Sequence, residues 1–391
     1  MIKESVEAIE SLGRRANDRE RAHAAAARAW LEGDFAGSVR RYGDILLDYP
    51  HDLLALQVAH LGDFYLGAST MLRDRVAQVE PLWDASIPGY NYVLGMYAFG
   101  LEETGAYSRA EDAGRRAVEL NPKDPWAVHA VAHVMAMQGR VREGIDWLTS
   151  RAVDWAPDNA FAFHNWWHLA LYYLDIDDIS QVLSLYDTRI RPVQSQVPLE
   201  MIDASGMLWR LHLRGIDLGA RWQALAQAWE ASAEGGYYAF NDVHALMAYL
   251  GAQRSDLVNK TLGAMESSAI GTNTNAMMTR EVGLPMAHAL VSFAHEQYAE
   301  CVDLLLPIRT IAHRFGGSNA QRDLIHLTLV EAALRAGKTK LARALVSERV
   351  QLKPASPFNW QLKARVWEQA GERERAARAR ERAEARRKAV A

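Results

Sequence analysis

The chain has 391 residues, 49% of them hydrophobic, and a formal net charge of −4 from 44 basic and 48 acidic residues. This length and apolar content allow a large buried core. The near-balanced charge argues against a nucleic-acid-binding protein, which would carry a basic surface to neutralise phosphates. A single cysteine, Cys301, excludes an intramolecular disulfide framework and a cysteine-rich metal site.

Targeting signals are the next feature to consider. The first 35 residues lack the apolar core of a signal peptide, and no stretch reaches the roughly 18 apolar residues of a membrane span. We therefore expect a cytoplasmic protein with neither a membrane nor a nucleic-acid partner. The sequence predicts no particular oligomeric state.

Helix–turn–helix repeats run along the chain. Residues 92–122 contain a helix, a turn at Gly105, small residues at Ala110 and Ala117 on a second helix, and a closing Asn-Pro, close to the tetratricopeptide consensus. The W-x2-L-[GA]-x2-Y spacing recurs at Trp166, Leu169, Ala170 and Tyr173. Later pairs can be drawn through residues 199–233, 240–267, 283–314 and 318–350.

Strand signals are nearly absent, and alanine, leucine, arginine and glutamate dominate the repeats, as helices favour. The sequence therefore predicts an all-α fold: one right-handed α-solenoid of tetratricopeptide-like repeats over residues 1–391. Residues 372–391 carry eight basic and four acidic residues and almost no large apolar side chain. We expect them to form a charged C-terminal helical tail that buries no face.

Two histidine pairs, His129 with His133 and His164 with His168, are each spaced four residues apart in helical segments. Residues at this spacing share a helix face. The two pairs lie about one repeat apart, so a solenoid would place their helices side by side. Alignment to the repeat directs His129, His133 and His164 into the concave groove and places His168 partly beneath it.

Other polar residues fall on the first helices of the repeats, which line the concave face in tetratricopeptide units. His60 and His244 lie at heights comparable to the histidine pairs, and Asp63 and Asp242 could supply oxygen ligands or orient an imidazole. Trp166 fits the repeat's packing position. Trp167 is predicted to form an aromatic wall of the groove.

The histidines have two interpretations. Neutral imidazole is a common ligand of divalent transition metals, and a helical H-x3-H pair can hold Zn(II), Cu(II), Ni(II) or Fe(II), or serve acid–base catalysis. Alternatively, a histidine on a helix face is a hydrogen-bonded core residue. The zincin motif H-E-x-x-H is absent, because Ala130 and Asn165 follow the first histidines.

At these residues the chain resembles the tetratricopeptide repeat protein 38 family. The resemblance runs through VHAVAH, HNWWHLALY, FNDVHALMAYLGA, TREVGLPMAHALV and GGSNAQRDL and covers most of residues 51–323. It implies a repeat fold and a shared pocket without naming a reaction. The positions that the resemblance carries over are His60, His129, His133, His164, Trp167, His168, Asn241, Asp242, His244, Arg280, Gly283, Pro285, Gly317, Ser318, Asn319, Gln321, Arg322 and Asp323.

The segment GGSNAQRD, residues 316–323, also has two interpretations. Ser318 or Asn319 can cap a helix whose free N–H groups, together with Arg322, would bind an anion or a carboxylate. In the other interpretation the cap is purely structural, and Arg322 and Asp323 pair with neighbouring helices. Arg280 has the same two interpretations. Cys301 is expected to be a buried packing residue.

Two functions follow from these features. The first is a histidine-rich pocket in the concave face for a small ligand or a divalent transition metal, with hydrolase or lyase chemistry. In it His129, His133, His164, His168, His244 and Asp242 would be catalytic. The ligand-binding residues would be His60, Asp63, Trp167, Asn241, Arg280, Asn319 and Arg322. The second function is a protein-interaction scaffold that binds peptides in the groove.

Overall fold

The computed structural model describes residues 2–232 and 235–390, and within these the regular secondary structure is helical throughout. The helices of the first half are α1 Ile2–Leu12, α2 Asp18–Leu31, α3 Phe35–Asp48, α4 Leu53–Tyr65, α5 Ser69–Val79, α6 Tyr90–Glu103, α7 Tyr107–Leu120, α8 Pro125–Gln138, α9 Val141–Ser150, α10 Ala152–Trp155, α11 Ala162–Asp175 and α12 Ile179–Leu185.

The second half continues in the same way. Its helices are α13 Pro198–Leu213, α14 Arg221–Ser232, α15 Ala239–Gly251, α16 Ser255–Ala269, α17 Thr274–Met278, α18 Leu284–Ala294, α19 Tyr298–Ile308, α20 Asn319–Arg335, α21 Thr339–Leu352, α22 Pro357–Gln369 and α23 Arg373–Val390. Short π-helical segments, Tyr186–Ile190 and Thr279–Gly283, follow α12 and α17. The repeat predicted over residues 199–233 corresponds to α13 and α14, and Ala233 lies outside the described residues.

Successive helices pack as pairs joined by short turns, among them α4 with α5, α6 with α7, α8 with α9, and α20 with α21. Gly139 shows how such a turn is made. It ends α8 with a φ of +71°, a conformation that glycine adopts without strain, and its N–H donates to the last carbonyls of the helix. The predicted fold class, an all-α solenoid of tetratricopeptide-like repeats, is confirmed.

Helix α8 lies in the interior of the solenoid. The Asp124 carboxylate caps its first turn by accepting the N–H groups of Trp126 and Ala127, and Pro125 stands where no N–H is needed. Every residue from Ala127 to Met135 is buried. A helix that is apolar on all sides must be surrounded by protein, so its two histidines are enclosed.

The solenoid closes on itself. The Tyr238 hydroxyl donates to the carbonyl of Tyr65 over 3.0 Å, although 173 residues separate them in sequence. The Thr274 hydroxyl accepts the N–H of Ala36, and Gly67 packs directly against the backbone of His313. The inner face of the repeats is therefore enclosed by the chain itself.

Helix α20 covers this inner face. The N–H of Asn319 donates to the Glu103 carboxylate on α6 over 2.7 Å, and the Arg210 guanidinium on α13 donates to the carbonyl of Ala320 over 2.7 Å. The groove that the repeat pattern predicts is thus divided into cavities beside the histidine pairs.

The C-terminal segment differs from its prediction. Helix α23 is charged, as expected, but it packs along α22 and buries Ala376, Ala379 and Ala383. The expectation that it buries no face is wrong, because alanines at this spacing let the two helices approach closely without large apolar side chains. That residues 1–391 form a single domain stays a prediction.

Two further expectations can be compared with the structure. Cys301 on α19 is fully buried, as predicted for a packing residue. Across residues 2–232 and 235–390, none of the helices has both the length and the apolar character that crossing a bilayer requires.

Candidate functional site

The four histidines of the two pairs meet in one buried cluster, which we call the histidine cluster: His129, His133, His164 and His168. The Nε2 atom of His129 lies 3.1 Å from Nε2 of both His164 and His168, and those two lie 3.3 Å apart. The His133 ring is centred 4.3 Å from the rings of His129 and His168. One potential ligand atom from each of the four rings lies within 4.8 Å of the others.

Hydrogen bonding does not account for this arrangement. In a neutral imidazole each ring nitrogen carries either a proton or a lone pair. Three Nε2 atoms in mutual contact must therefore include at least one pair of like groups facing each other. Metal–nitrogen bonds of about 2.0–2.1 Å place tetrahedral ligands about 3.3 Å apart, which matches the separations of these three atoms.

Asp203 on α13 fixes the orientation of one imidazole. Its Oδ2 lies 2.6 Å from Nδ1 of His164, and the aspartate side chain is 1% exposed. Because the carboxylate accepts a hydrogen bond here, Nδ1 carries the hydrogen and Nε2 directs its lone pair into the cluster. Carboxylate support of this kind is typical of histidines that bind metals.

A second acidic group borders the cluster. Oε2 of Glu102 lies 3.2 Å from Nδ1 of His133, and both side chains are fully buried. Neither Glu102 oxygen nor either His133 nitrogen has an aligned hydrogen bond within the described residues. Glu102, Glu103 and His133 also lie close enough to share an ion. Glu103, however, already accepts from Asn319 and Arg322.

Burial sets the protonation of these groups. It raises the pKa of Glu102 to about 8 and that of Glu103 to about 7. It lowers the pKa of His133 to about 3, and burial together with neighbouring imidazoles holds the pKa values of His129 and His168 well below 6.5. These three rings are therefore neutral near pH 7 and have lone pairs available.

An aromatic cavity adjoins one side of the histidine cluster. It encloses about 570 Å³ of space not filled by atoms, part of it open to solvent, and reaches His129 and His164. Trp126 and Phe161 line it and stack on each other with ring centroids 4.0 Å apart. Its other lining residues are His60, Leu61, Phe64, Tyr65, Phe99, Phe163, Leu199, Asp203, Ser318 and Gln321.

His60 and His244 lie near the site without joining the cluster. His60 lines the aromatic cavity, and its Nε2–H donates to the carbonyl of Met96. His244 donates from Nδ1 to the carbonyl of Phe240 over 2.7 Å. Burial lowers the pKa of both imidazoles to about 4.

Asp242 and Asn241 do not reach the histidine cluster. Oδ1 of Asp242 accepts the N–H of Gly236 over 3.0 Å, so this carboxylate holds the loop before α15 instead of orienting an imidazole. Burial raises its pKa to about 7. Asn241 lies in the first turn of α15, where its N–H donates to Tyr238, and it lines neither cavity that borders the cluster.

Two further predicted ligand-binding residues have structural partners. Asp63 forms a bidentate ion pair with Arg75 on the next helix, with distances of 2.6 and 3.1 Å. Arg280 donates to the carbonyls of Ala269 and Gly271. Arg75 neutralises the Asp63 carboxylate, and the two carbonyls engage the Arg280 guanidinium. Neither side chain is therefore directed at the histidines.

The 316–323 segment follows its structural interpretation. Ser318 and Gln321 form a capping box at the start of α20. Arg322 pairs with Glu103 and donates to Oδ1 of Asn319, whereas Asp323 pairs with Arg349. The N–H of Asn319 is already occupied by Glu103, so the first turn of α20 is not open to an external anion.

The two tryptophans also separate. Trp166 packs against Trp155 with ring centroids 4.7 Å apart, as predicted for a packing residue. Trp167 is 1% exposed and stacks on His164 at 5.3 Å and an interplanar angle of 11°. Trp167 therefore packs against the His164 imidazole in the interior. It was predicted to form a wall of the groove.

Sequence reasoning missed Asp203 and Glu102. Asp203 stands in the apolar run PLEMIDASGMLW, and an isolated acid in such a run is itself a signal of a buried partner. Glu102 occurs in LEETG at the end of a first helix, where an acid usually reaches solvent. Only the packing of α8 against α6 reveals its contact with His133.

No family model matches the chain. Solved structures similar to it include human IFIT1 as a dimer with PPP-AAAA, at 12% identity and a TM-score of 0.39 over 98% of this chain and 94% of that one. The P58(IPK) TPR domain matches at 12% identity and 0.26 over 94% and 93%, and yeast Tom70 at 9% and 0.33 over 95% and 95%. The more specific resemblance to the tetratricopeptide repeat protein 38 family stays a prediction.

Proposed function

We propose that the chain binds one divalent transition metal in the histidine cluster and acts on a small molecule that enters through the aromatic cavity. The observation that carries this proposal is the convergence of three Nε2 atoms at 3.1–3.3 Å, with Asp203 behind His164. Neutral nitrogen donors at these separations suit zinc-like ions.

His129, His164 and His168 would hold the metal in this proposal, and His133 completes the set of four histidines that could share it. A bound divalent metal would supply Lewis acidity. The chain's own groups would then orient the reactant and hold a proton. The aromatic rings of Trp126 and Phe161 bind its apolar part and exclude water.

Glu102 is the group that holds a proton beside the site. Its Oε2 lies 3.2 Å from Nδ1 of His133 in a fully buried setting, and the low pKa of His133 keeps that imidazole neutral. The raised pKa of Glu102, about 8, keeps a proton available near neutral pH. Hydrolase or lyase chemistry on a small ligand fits these groups.

The scaffold alternative lacks a specific supporting contact. Tetratricopeptide-like repeats are compatible with peptide binding, but α20 covers the inner face between α6 and α13. A peptide would have to displace that helix or use another face. We also propose that the chain has no nucleic-acid partner and lies in the cytoplasm. A cytoplasmic location suits a free, buried Cys301.

The test is the metal content of untagged protein, measured by inductively coupled plasma mass spectrometry. We expect about one zinc-like ion per chain, restored by Zn²⁺ after treatment with EDTA. The double variant His129→Ala/His164→Ala should retain none, and the exposed His295→Ala should match wild type. If chelated wild-type protein takes up no more Zn²⁺ than the double variant, the proposal is wrong.

A further inference from the structure

A second cavity adjoins the histidine cluster at His133, and we call it the cationic cavity. It comprises about 750 Å³ of space not filled by atoms, part of it open to solvent. Its charged lining residues are Asp175, Arg210, Arg214, Asp323, Arg349 and Lys353. Four basic side chains and two acidic ones thus share this space.

Two of the four cations are neutralised by ion pairs. Arg349 binds Asp323 through both of its terminal nitrogens, and Arg214 lies 3.0 Å from the carboxylate of Asp177 at the edge of the cavity. These pairs cancel their own charges. They leave the other two cations to determine what the cavity binds.

Arg210 is buried without a carboxylate in direct contact with it, among the described residues. It is 4% exposed, and its guanidinium donates to the carbonyls of Gly206, Ala320 and Gln321. Burial lowers its pKa to about 10, so it remains charged near pH 7. Carbonyl dipoles satisfy its N–H groups, the centroid of the Trp167 ring lies 5.3 Å from its guanidinium carbon, and Asp323 and Asp203 act on its charge without forming an ion pair with it. A buried cation that lacks a direct ion pair is costly.

Lys353 is the second cation. It follows α21 and is half-buried, and no ion pair or side-chain hydrogen bond engages its ammonium group within the described part of the chain. Its charge acts on Glu102, His133, Asp175 and Asp323. The positive charge of the ammonium group therefore acts both on the acidic residues and on His133.

Asp175 offsets only part of this charge. Its carboxylate accepts from the Ser356 hydroxyl, and burial raises its pKa. With one aspartate set against two unpaired cations, the cavity retains a net positive charge, which attracts an anion and orients it toward Arg210 and Lys353.

We propose that the cationic cavity binds the oxyanion group, a carboxylate or a phosphate, of a small molecule whose other end extends past His133 to the histidine cluster. The oxyanion site stands on Arg210 and Lys353 alone, whereas its role in placing a reactant rests on the proposed function. Both candidate groups offer the oxygen acceptors that guanidinium and ammonium groups bind.

The test uses sodium phosphate and sodium succinate as probes, titrated calorimetrically at constant ionic strength into EDTA-treated protein. Removal of metal ensures that binding at the histidine cluster contributes nothing. We expect wild-type protein to bind at least one probe, and Lys353→Met to weaken that binding about tenfold or more. The probe that binds more tightly identifies the class of oxyanion.

The matched control is Lys340→Met, which removes the same charge from an exposed position outside the cavity. It should bind like wild type. Arg210→Gln provides a second variant, and circular dichroism verifies that each variant is folded.

The proposal is overturned if neither probe binds to wild-type protein, or if Lys353→Met and Lys340→Met weaken binding equally. Binding that occurs only with Zn²⁺ present and that His164→Ala abolishes would assign the anion to the metal, which would support the proposed function and refute the cationic cavity as its site. Conversely, anion binding by a protein that takes up no metal would retain this inference and refute the proposed function.

Discussion

Oδ2 of Asp203 on α13 lies 2.6 Å from Nδ1 of His164 on α11, and this contact links two repeats across the buried interior. It determines which nitrogen of His164 carries the proton. The opposite nitrogen is therefore available to the three-atom contact with His129 and His168. An orienting residue of this kind tunes a ligand without touching the metal itself.

Asp203→Asn should keep the shape of this contact but lose its charge. We expect a loss of about 10–100-fold in Zn²⁺ affinity, because the neutral amide supports the imidazole less strongly. Competition with a chromogenic chelator measures it. Asp256→Asn, at an exposed ion pair with Arg254, is the control and should not change the affinity. Equal affinities in wild type and Asp203→Asn would contradict the assigned role.

His133→Leu tests whether burial of the polar His133 ring lowers the free energy of unfolding. Both nitrogens of His133 are buried without an aligned hydrogen bond, so replacing the ring with an apolar side chain should change the unfolding free energy of metal-free protein by less than about 1 kcal/mol, or raise it. Urea denaturation in EDTA provides the measurement.

Tyr172→Phe is the contrasting variant for that experiment. The Tyr172 hydroxyl donates to the carbonyl of Ala132 over 2.5 Å, and its removal should cost about 1 kcal/mol. A loss above about 3 kcal/mol for His133→Leu would show that the histidine is an ordinary packing residue.

The pH dependence of stability should reveal Asp242. Its pKa is about 7 in the folded protein, above the usual value of an exposed aspartate. Its contribution is therefore fully present near pH 4 and is lost as the pH rises through 7, since the unfolded chain ionises first. Asp242→Asn has no carboxyl group to ionise at this position, so it should not show this loss of stability as the pH rises.

Urea denaturation at pH 5 and pH 8 tests that expectation. Relative to wild type, Asp242→Asn should gain roughly 2 kcal/mol of unfolding free energy at the higher pH. The exposed Asp217→Asn serves as the control and should follow wild type at both. An unchanged difference between wild type and Asp242→Asn would refute the raised pKa.

Closure of the solenoid can be tested at Gly67. Its φ is +66°, and a Cβ atom there would meet the His313 carbonyl oxygen, far inside contact distance. Gly67→Ala should therefore lower the unfolding free energy by more than about 2 kcal/mol. Gly105→Ala, with a φ of +81° and open space around it, should cost only about 1 kcal/mol. Equal losses would mean that the Gly67 contact contributes nothing.

The repeat pattern was sufficient to predict the fold. The pair predicted over residues 318–350 corresponds to α20 and α21, and that over 240–267 to α15 and α16. Turn residues and small residues at fixed spacing are local signals, so one sequence contains them. The enclosure of the groove is not local, since it depends on contacts such as Tyr238 with Tyr65.

Only part of the site could be predicted from local signals. The H-x3-H spacing placed each histidine pair on one helix face, and alignment to the repeat directed His129, His133 and His164 into the groove and placed His168 partly beneath it. The structure brings His168 into the same three-atom contact. A helix face read from repeat alignment changes with a register shift of one residue, which explains the difference.

Some residues predicted to bind a ligand instead pair with other side chains, and the sequence does not show these pairs for one shared reason. Asp63 has Arg75 as its partner, and Arg322 has Glu103. Charged residues on first helices look available in a sequence because their partners lie on other helices. Distances of 12 and 219 residues separate these two pairs, and only the packing reveals them.

The contact between Tyr65 and Tyr238 also fixes the number of repeats between them. An open solenoid can gain or lose a helix pair, because each repeat contacts only its neighbours. In this chain an inserted pair between α4 and α15 would carry Tyr238 away from the Tyr65 carbonyl and open the interior to water. The circumference of the closed solenoid, and with it the number of helix pairs between α4 and α15, is therefore constrained by this contact.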